Sequence, residues 1–209
     1  MTGLRERKRQ RTHDAVSTAA IALFLAHGYD RVSVADVAAA AEISKPTLFR
    51  YFPSKEDLVL HRFADHQGEA ARVVRERPDG RTPLEALHHH FRDGLARRDP
   101  VTGLNDHPQV LAFHNLVFST PSLSGRLADY VAADEEALAA AFADSAASDP
   151  LTGRLAAAQV IAVQRVLARE NWRRLAAGET ADALHDKAAG EADTAFGRLA
   201  SGLGGALLT

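Results

Sequence analysis

Cysteine is absent from the 209 residues of the chain. This absence excludes disulfide scaffolds, thiolate zinc sites and cysteine nucleophiles, and it suits a protein of the reducing cytoplasm. The longest run without Asp, Glu, Lys or Arg, residues 107–125, contains histidine, proline and several serines, so no membrane-spanning helix is expected. What is present, 46% hydrophobic and 25% charged residues, indicates a soluble globular protein with one or two domains.

Positive charge is in excess only at the beginning of the chain. Residues 1–60 hold 9 Lys or Arg against 7 Asp or Glu, whereas the remainder holds 16 against 20. The excess is sharpest in residues 5–11, where the basic side chains accompany a single acid, Glu6. Such a segment can neutralise phosphates, and we expect a basic arm that precedes the first helix. The apolar stretch 15–26 that follows is amphipathic, which disfavours a secretory signal.

Apolar residues recur at helical spacing from end to end, and strand-like alternation is nearly absent. We therefore predict an all-α protein with about nine helices, separated by proline and glycine breaks. All 8 prolines lie at or before position 150. The final segment can thus hold two long helices, near 152–176 and 180–203, and Thr180 is a candidate N-cap for the second.

Residues 32–52 predict two short helices joined by a tight turn. Ser33 and Ser44 are suited to cap the two helices, and Pro46 falls in the first turn of the second, where its missing N–H costs nothing. Leu48 and Phe52 face back onto the first helix, which leaves a basic, polar and aromatic face outward. The outward residues are Lys45, Thr47, Phe49, Arg50 and Tyr51. This is the pattern of a helix-turn-helix, whose second helix fits the DNA major groove; the alternative is a helical hairpin with a solvated basic face.

The segment that follows favours the DNA-binding interpretation. Ser54 is a candidate N-cap for the next helix, and Lys55 would stand beside amides that can bind a phosphate. The acids of Glu56 and Asp57 would fall in the first turn, where they suit the helix dipole.

Three adjoining parts of the chain form one recognisable pattern: Gly28-Tyr29, the segment Ser33–Ser44, and the run Lys45-Pro46-Thr47-Leu48-Phe49-Arg50-Tyr51-Phe52-Pro53-Ser54-Lys55-Glu56-Asp57-Leu58. This pattern resembles the signature of the TetR/AcrR family of one-component transcriptional regulators. A terminal pattern, Asn171-Trp172-Arg173-Arg174, is similar to the mycofactocin-regulator branch. The resemblance implies a DNA-binding domain at 1–53 and a helical ligand-binding and dimerisation domain at 54–209. It further implies a cytoplasmic homodimer that binds a double-stranded DNA operator and an unknown small-molecule effector.

The resemblance also assigns roles by motif position. Lys45, Thr47 and Arg50 would lie in the groove, while Tyr51 and Lys55 would contact phosphates. The full DNA-binding set is Ser33, Ser44, Lys45, Pro46, Thr47, Phe49, Arg50, Tyr51 and Lys55. Two positions depart from the family pattern. Phe49 stands where the family usually has a tyrosine, so a hydroxyl contact to phosphate is lost and apolar contact with a thymine methyl becomes possible. Glu42 stands where glycine is usual in the turn, which costs roughly 1 kcal/mol if that residue is left-handed.

Two further sets of residues are candidates for the remaining sites. The effector-cavity candidates, each of which could instead be ordinary core, are Phe63, His66, Phe91, Phe113, His114, Val117, Phe118, Tyr130, Gln164 and Trp172. A stripe of large and small residues on the last helix suits either a dimer interface or packing within the chain. Its members are Leu184, Ala188, Ala192, Ala195, Leu199 and Leu203.

Catalytic and metal sites are not predicted. The three residues His88, His89 and His90 point about 100° apart on a helix and cannot converge on one ion. Glu85-x-x-His88 matches half of a di-iron motif, for which only Asp182-x-x-His185 approaches a partner. No nucleophile elbow, phosphate loop or HExxH motif occurs. We therefore expect a ligand-responsive DNA-binding repressor without cofactor or metal; the alternative is a helical metal enzyme, or a protein whose basic arm binds a membrane or a partner.

Overall fold

A computed structural model of the chain describes residues 2–145 and 149–202. Within these ranges the fold is all-α, as predicted, with ten α-helices and one short 3-10 helix at Pro100–Thr102. The α-helices are α1 (Thr2–His27), α2 (Val34–Ala40), α3 (Lys45–Tyr51), α4 (Asp57–Ala64), α5 (Glu69–Arg75), α6 (Pro83–Ala96), α7 (Pro108–Ser119), α8 (Pro121–Ser145), α9 (Pro150–Ala176) and α10 (Ala181–Gly202). One helix more than expected arises because the chain also breaks at Gly68, whose φ of 73° is left-handed.

The described chain forms two compact units. The first runs to Asp65 and also contains Ala112–Ala128, and the second contains His66–Leu111 and continues from Asp129. Helix α4 thus belongs to the first unit, whereas the predicted domain limits, 1–53 and 54–209, place it in the second. None of the helices in the described ranges is both long and apolar enough to cross a membrane.

In the first unit, α1 packs against α2 and α4, and α2 packs against α3. The fully buried side chains at these contacts include Val16, Phe24, Val37, Leu48 and Phe52. Because α1 begins at Thr2, residues 5–11 are its first turns. The expected arm in front of the first helix is therefore wrong: the basic segment is helical, and Arg7 and Arg11 are exposed on it.

In the second unit, α10 packs against α6 and α9, and α5 packs against α6. Thr82 caps α6 with a complete capping box to Glu85, followed by a proline at the first helical position. Asp149 caps α9 by accepting a hydrogen bond from the Thr152 amide at 3.1 Å. The two terminal helices lie close to their predicted limits, and Thr180 accepts a hydrogen bond from the Ala183 amide at 3.2 Å, as expected of a cap.

The 3-10 helix rests directly on α9 in this unit. Gly103, with φ of 72°, approaches α9 so closely that a Cβ atom there would lie 1.9 Å from the backbone oxygen of Ala168. The side-chain amide of Asn171, which is buried, donates to the backbone oxygen of Thr102 at 2.9 Å. Asn171 therefore fixes the chain segment before α7 to α9.

Candidate nucleic-acid interface

Helix α2 begins with a reciprocal capping box. The Ser33 hydroxyl accepts from the Asp36 amide at 3.2 Å, and the Asp36 carboxylate accepts from the Ser33 amide and hydroxyl at 2.8 and 2.7 Å. These hydrogen bonds, led by that from the hydroxyl, lower the pKa of Asp36. The box satisfies amides that would otherwise lack a partner at the start of a seven-residue helix. Ser33 is thus a structural cap, as the sequence predicted.

A tight turn separates α2 from α3. Glu42 adopts φ of 54°, the left-handed conformation that the sequence left conditional, and the Ile43 amide donates to the Ala38 carbonyl at 3.0 Å. A β-carbon in this conformation is unfavourable. The left-handed backbone of Glu42 therefore destabilises the turn, at the position where the family pattern has glycine.

Helix α3 is capped as predicted. The Ser44 hydroxyl accepts from the Thr47 amide at 3.2 Å and lies 2.8 Å from the Thr47 hydroxyl, and Pro46 occupies the first turn. Leu48 is fully buried. Its side chain holds one side of α3 against the unit, so the opposite side faces solvent.

The exposed side of α3 carries the predicted groove residues. Lys45 and Arg50 are exposed, Thr47 and Tyr51 are half-buried, and Phe49 keeps 42% of its surface accessible. The Lys45 ammonium lies 6.0 Å from the centre of the Phe49 ring. Among the described residues no carboxylate pairs with Arg50, so its guanidinium is available to an incoming acceptor. The arrangement is an exposed rod with two cations and an aromatic ring, which suits a groove lined by phosphates and base edges.

Lys55 does not stand where the sequence placed it. Its ammonium donates to the backbone oxygen of Tyr29 at 2.6 Å and lies 4.2 Å from the centre of the Tyr29 ring and 5.4 Å from that of Phe24. Helix α4 begins at Asp57, and the Ser54 hydroxyl accepts a hydrogen bond from the Asp57 amide in the turn before the helix. In this structure Lys55 holds the loop after α1, and its contact with phosphate stays a prediction.

The comparisons with known proteins match this geometry. Residues 17–61, which run from the second half of α1 into α4, match the model of the bacterial regulatory proteins of the tetR family. The HTH-type transcriptional regulator TcmR of Streptomyces glaucescens is 35% identical over 179 residues, which are 82% of this chain and 78% of TcmR. The chain belongs to the TetR family. It is a DNA-binding transcriptional regulator.

Other TetR-family similarities cover either a part of the sequence or the fold. The mycofactocin biosynthesis regulator MftR of Mycobacterium tuberculosis is 47% identical over 60 residues, 29% of this chain and 30% of MftR; this short match leaves the likeness of the terminal pattern a prediction. NalD of Pseudomonas aeruginosa superimposes with a TM-score of 0.59 at 18% identity, over 90% of this chain and 96% of NalD. GusR of Salmonella enterica superimposes with a TM-score of 0.56 at 20% identity, over 95% and 96% of the two chains. At these identities the structures show the TetR fold alone.

The predicted effector-cavity residues are divided between the two units. In the first unit the Phe63 and Phe113 rings stack at 5.8 Å, and His114 lies 6.1 Å from the Phe113 ring and 5.8 Å from that of Phe118. Val117 of the same helix is fully buried. Burial lowers the pKa of His114 to about 4, so its imidazole is neutral at physiological pH. Its Nδ1 has no hydrogen-bond partner in the part of the chain that the structure describes.

The remaining cavity candidates lie in the second unit. Phe91 belongs to the hydrophobic core, and His66 is exposed and contacts Glu69 at 2.9 Å. Tyr130, Gln164 and Trp172 are half-buried. Sequence reasoning thus found one aromatic cluster with a buried imidazole and also named core residues, because both share an apolar pattern.

The stripe on α10 faces the interior of its own unit. Leu184, Ala188, Ala192 and Leu199 are buried in the core of the second unit. Their burial fits the alternative of packing within the chain, and a role of these four residues in a dimer interface stays a prediction. Ala195 is half-buried, and Leu203 lies outside the described residues. The large exposed apolar side chains of the two terminal helices are instead on α9, at Leu151, Leu155 and Val166.

The three consecutive histidines of α6 diverge, as expected. His88 contacts Asp193 at 2.8 Å, His89 contacts Asp93 at 3.1 Å, and His90 contacts Glu69 at 3.1 Å. Because each ring meets a different carboxylate, the three do not form one ligand set. Glu85 accepts hydrogen bonds from Thr82 within the capping box, so the half-motif of a di-iron site acts as a helix cap.

Proposed function

We propose that this TetR-family protein is a homodimer that binds an inverted-repeat operator through α3 and releases it when a small molecule binds. The observation that supports this most directly is the exposed face of α3, where Lys45, Phe49 and Arg50 are accessible while Leu48 is buried. Two such helices in a symmetric dimer would enter successive major grooves, with half-sites about 34 Å apart.

The side chains of α3 divide into base-reading and phosphate-contacting groups. Arg50 is exposed and unpaired within the described chain, and arginine reads guanine through two parallel hydrogen bonds in the major groove. Phe49 offers an apolar surface to a thymine methyl group. Lys45 and Thr47 would lie in the groove beside this pair, and Tyr51 would position the helix by contact with the phosphate backbone.

The dimer surface that we propose lies on α9. Leu151, Leu155 and Val166 are spaced by 4 and 11 residues, which places them on one face of a helix, and they are 59%, 54% and 63% exposed. A row of large exposed apolar side chains of this kind marks an interaction surface. In a twofold dimer the same face of each copy would pair with the other.

The effector site that we propose is the aromatic cluster of the first unit, formed by Phe63, Phe113, His114 and Phe118. Its rings offer apolar walls, and the neutral imidazole of His114 offers one buried group for a directional hydrogen bond. Such a site favours a largely apolar, flat molecule that carries a hydrogen-bonding group. The effector would release DNA only if it binds the DNA-free conformation more tightly.

The DNA-binding proposal is tested with Arg50→Ala and with Arg97→Ala, which removes the same charge from an exposed position at the end of α6. Binding to fragments of the protein's own promoter region is measured by gel shift at two salt concentrations. Arg50→Ala should cost roughly 1–3 kcal/mol and relax the preference at one base pair, while Arg97→Ala binds as wild type. Equal binding by wild type and Arg50→Ala, on every fragment, would contradict the proposal.

The dimer is tested separately by Leu155→Lys, which places a charge in the proposed interface. Sedimentation should show a monomer for this variant and a dimer for wild type and for Lys187→Ala, an exposed position on α10. If Leu155→Lys is still a dimer, the interface does not lie on this face of α9.

The sensor is tested with compounds that raise the melting temperature of the protein. Each is assayed for operator release by wild type and by His114→Phe, which removes the polar group while keeping a ring. We expect release to need higher concentrations in the variant. If a compound stabilises the wild type without changing its affinity for DNA, that result contradicts the proposed sensor function.

A further inference from the structure

Two histidines and an aspartate converge where α1 meets α4. The Nδ1 atom of His13 lies 3.1 Å from the Nε2 atom of His61, and that Nε2 lies 3.4 Å from the Oδ1 atom of Asp14. All three atoms lie within 4.8 Å of one another. No part of the DNA-binding or effector site requires this cluster.

These distances match those between the ligands of one metal ion. Zinc binds imidazole nitrogen and carboxylate oxygen at about 2.0–2.2 Å in tetrahedral sites, which places neighbouring ligand atoms about 3.3–3.5 Å apart. The His13–His61 and His61–Asp14 distances lie within 0.3 Å of that range. The Oδ1 atom of Asp65 lies 3.8 Å from the same Nε2 and is in reach as a fourth ligand, a position that water also fills in zinc sites.

The surroundings tie the two helices together and leave a path for an ion. The Ser17 hydroxyl, one turn after His13, donates to the backbone oxygen of Leu58 at 2.9 Å and ties α1 to α4. The His13 ring stacks on Phe52 with 4.2 Å between ring centres. His61 is 9% exposed, whereas the Asp14 and Asp65 side chains are 54% and 51% exposed, so the carboxylates form the open side.

A second histidine pair shows what a merely ion-paired arrangement looks like. His66 and His90 contact different oxygens of the Glu69 carboxylate, at 2.9 and 3.1 Å, and these hydrogen bonds hold the pKa of Glu69 below its usual range. The carboxylate there lies between the two rings. At His13 and His61 the two nitrogens instead lie 3.1 Å apart, with the rings edge to face and 3.9 Å between their centres, so one ring has to turn before both nitrogen lone pairs can point at one ion.

The geometry points to a binding site for a divalent transition-metal ion of the zinc class, formed by His13, Asp14 and His61 and completed by Asp65 or water. Imidazole and carboxylate ligands suit zinc, whereas magnesium and calcium prefer oxygen alone. A bound ion would clamp α1 to α4 beside Phe52, the residue that ends α3. Because it would bind the folded chain and not the unfolded one, it would stabilise the first unit. The site does not depend on the proposed operator and effector functions.

The test is a zinc titration of chelator-treated, full-length protein in competition with a chromophoric chelator. Cobalt is titrated in parallel, because its visible absorption reports a tetrahedral site. We expect one tight equivalent per chain and a rise in melting temperature with zinc. Asp14→Asn, a change at an exposed position, and His61→Gln should each weaken binding by at least about tenfold, since even supporting residues outside the ligand set contribute that much.

Two control variants locate the ion. His27→Gln removes an exposed histidine from the same helix, and His90→Gln disrupts the pair around Glu69; both should bind zinc as wild type does. Loss of zinc in His90→Gln with retention in Asp14→Asn would overturn the assignment. Absence of a tight equivalent in the wild type would also overturn it and leave a hydrogen-bonded imidazole pair, whatever the outcome of the operator assays.

Discussion

Helices α3 and α10 are stabilised in opposite ways. Helix α3 has seven residues, is capped by Ser44 and buries Leu48 against its unit. Helix α10 has 22 residues and buries a side chain on nearly every turn, from Leu184 to Leu199. A short helix held by its caps keeps most of its surface for a partner, whereas a long helix held by an apolar stripe uses that stripe for its own fold.

Leu184→Ala tests the buried stripe of α10 and is expected to destabilise the protein more than the substitutions described below. Leu184 is 1% exposed, so the truncation leaves a cavity and should lower the free energy of unfolding by about 2–5 kcal/mol. Urea unfolding at fixed protein concentration measures the loss, and Lys187→Ala on the exposed face should stay within about 0.5 kcal/mol of wild type. If the variant instead keeps its stability and sediments as a monomer, the stripe belongs to an interface after all.

Ser44→Ala tests how far the cap stabilises α3, because it removes the hydroxyl that accepts from the Thr47 amide. We expect a loss of about 1 kcal/mol, because the Thr47 amide would lose its intrachain acceptor. Hydrogen exchange at that amide should become roughly fivefold faster. The matched control is Ser119→Ala, since the Ser119 hydroxyl donates only to the Asn115 carbonyl within its own helix. Unchanged exchange in Ser44→Ala would show that packing, and not the cap, holds α3.

Glu42→Gly tests the backbone strain of the turn before α3 and is expected to change the stability least. Glycine removes the left-handed strain of roughly 1–2 kcal/mol but adds roughly 0.5–1 kcal/mol of unfolded-state entropy. The free energy of unfolding, measured by thermal unfolding, should therefore rise by about 0.5 kcal/mol. Glu42→Ala keeps the β-carbon and should give no gain; equal gains from both substitutions would mean that the glutamate side chain, and not its backbone, carries the cost.

The sequence predicted best those features that local chemistry determines. Ser33, Ser44 and Thr180 act as caps where they were expected, because each partner amide lies three residues away. The face of α10 was left ambiguous because packing within a chain and packing between copies use the same pattern of large and small residues. Gly68 was missed as a helix break because an isolated glycine does not by itself end a helix.

Partners distant in sequence were beyond prediction. Lys55 meets the Tyr29 carbonyl 26 positions away, and His13 meets His61 48 positions away. Neither pair has a spacing motif, so only the packing of α1 against α2 and α4 brings them together. The exposed face of α9, on which we propose the dimer surface, was beyond prediction for a related reason: exposure of Leu151, Leu155 and Val166 depends on which face the rest of the second unit covers.

The contact of Gly103 with α9 has a practical consequence for redesign. A backbone oxygen stands where any β-carbon would have to sit, so glycine alone among the encoded amino acids is tolerated without moving α9. Mutant libraries of the second unit should hold position 103 constant while they randomise elsewhere. Disabled clones from such a library that map to this codon would reflect misfolding and carry no information about recognition.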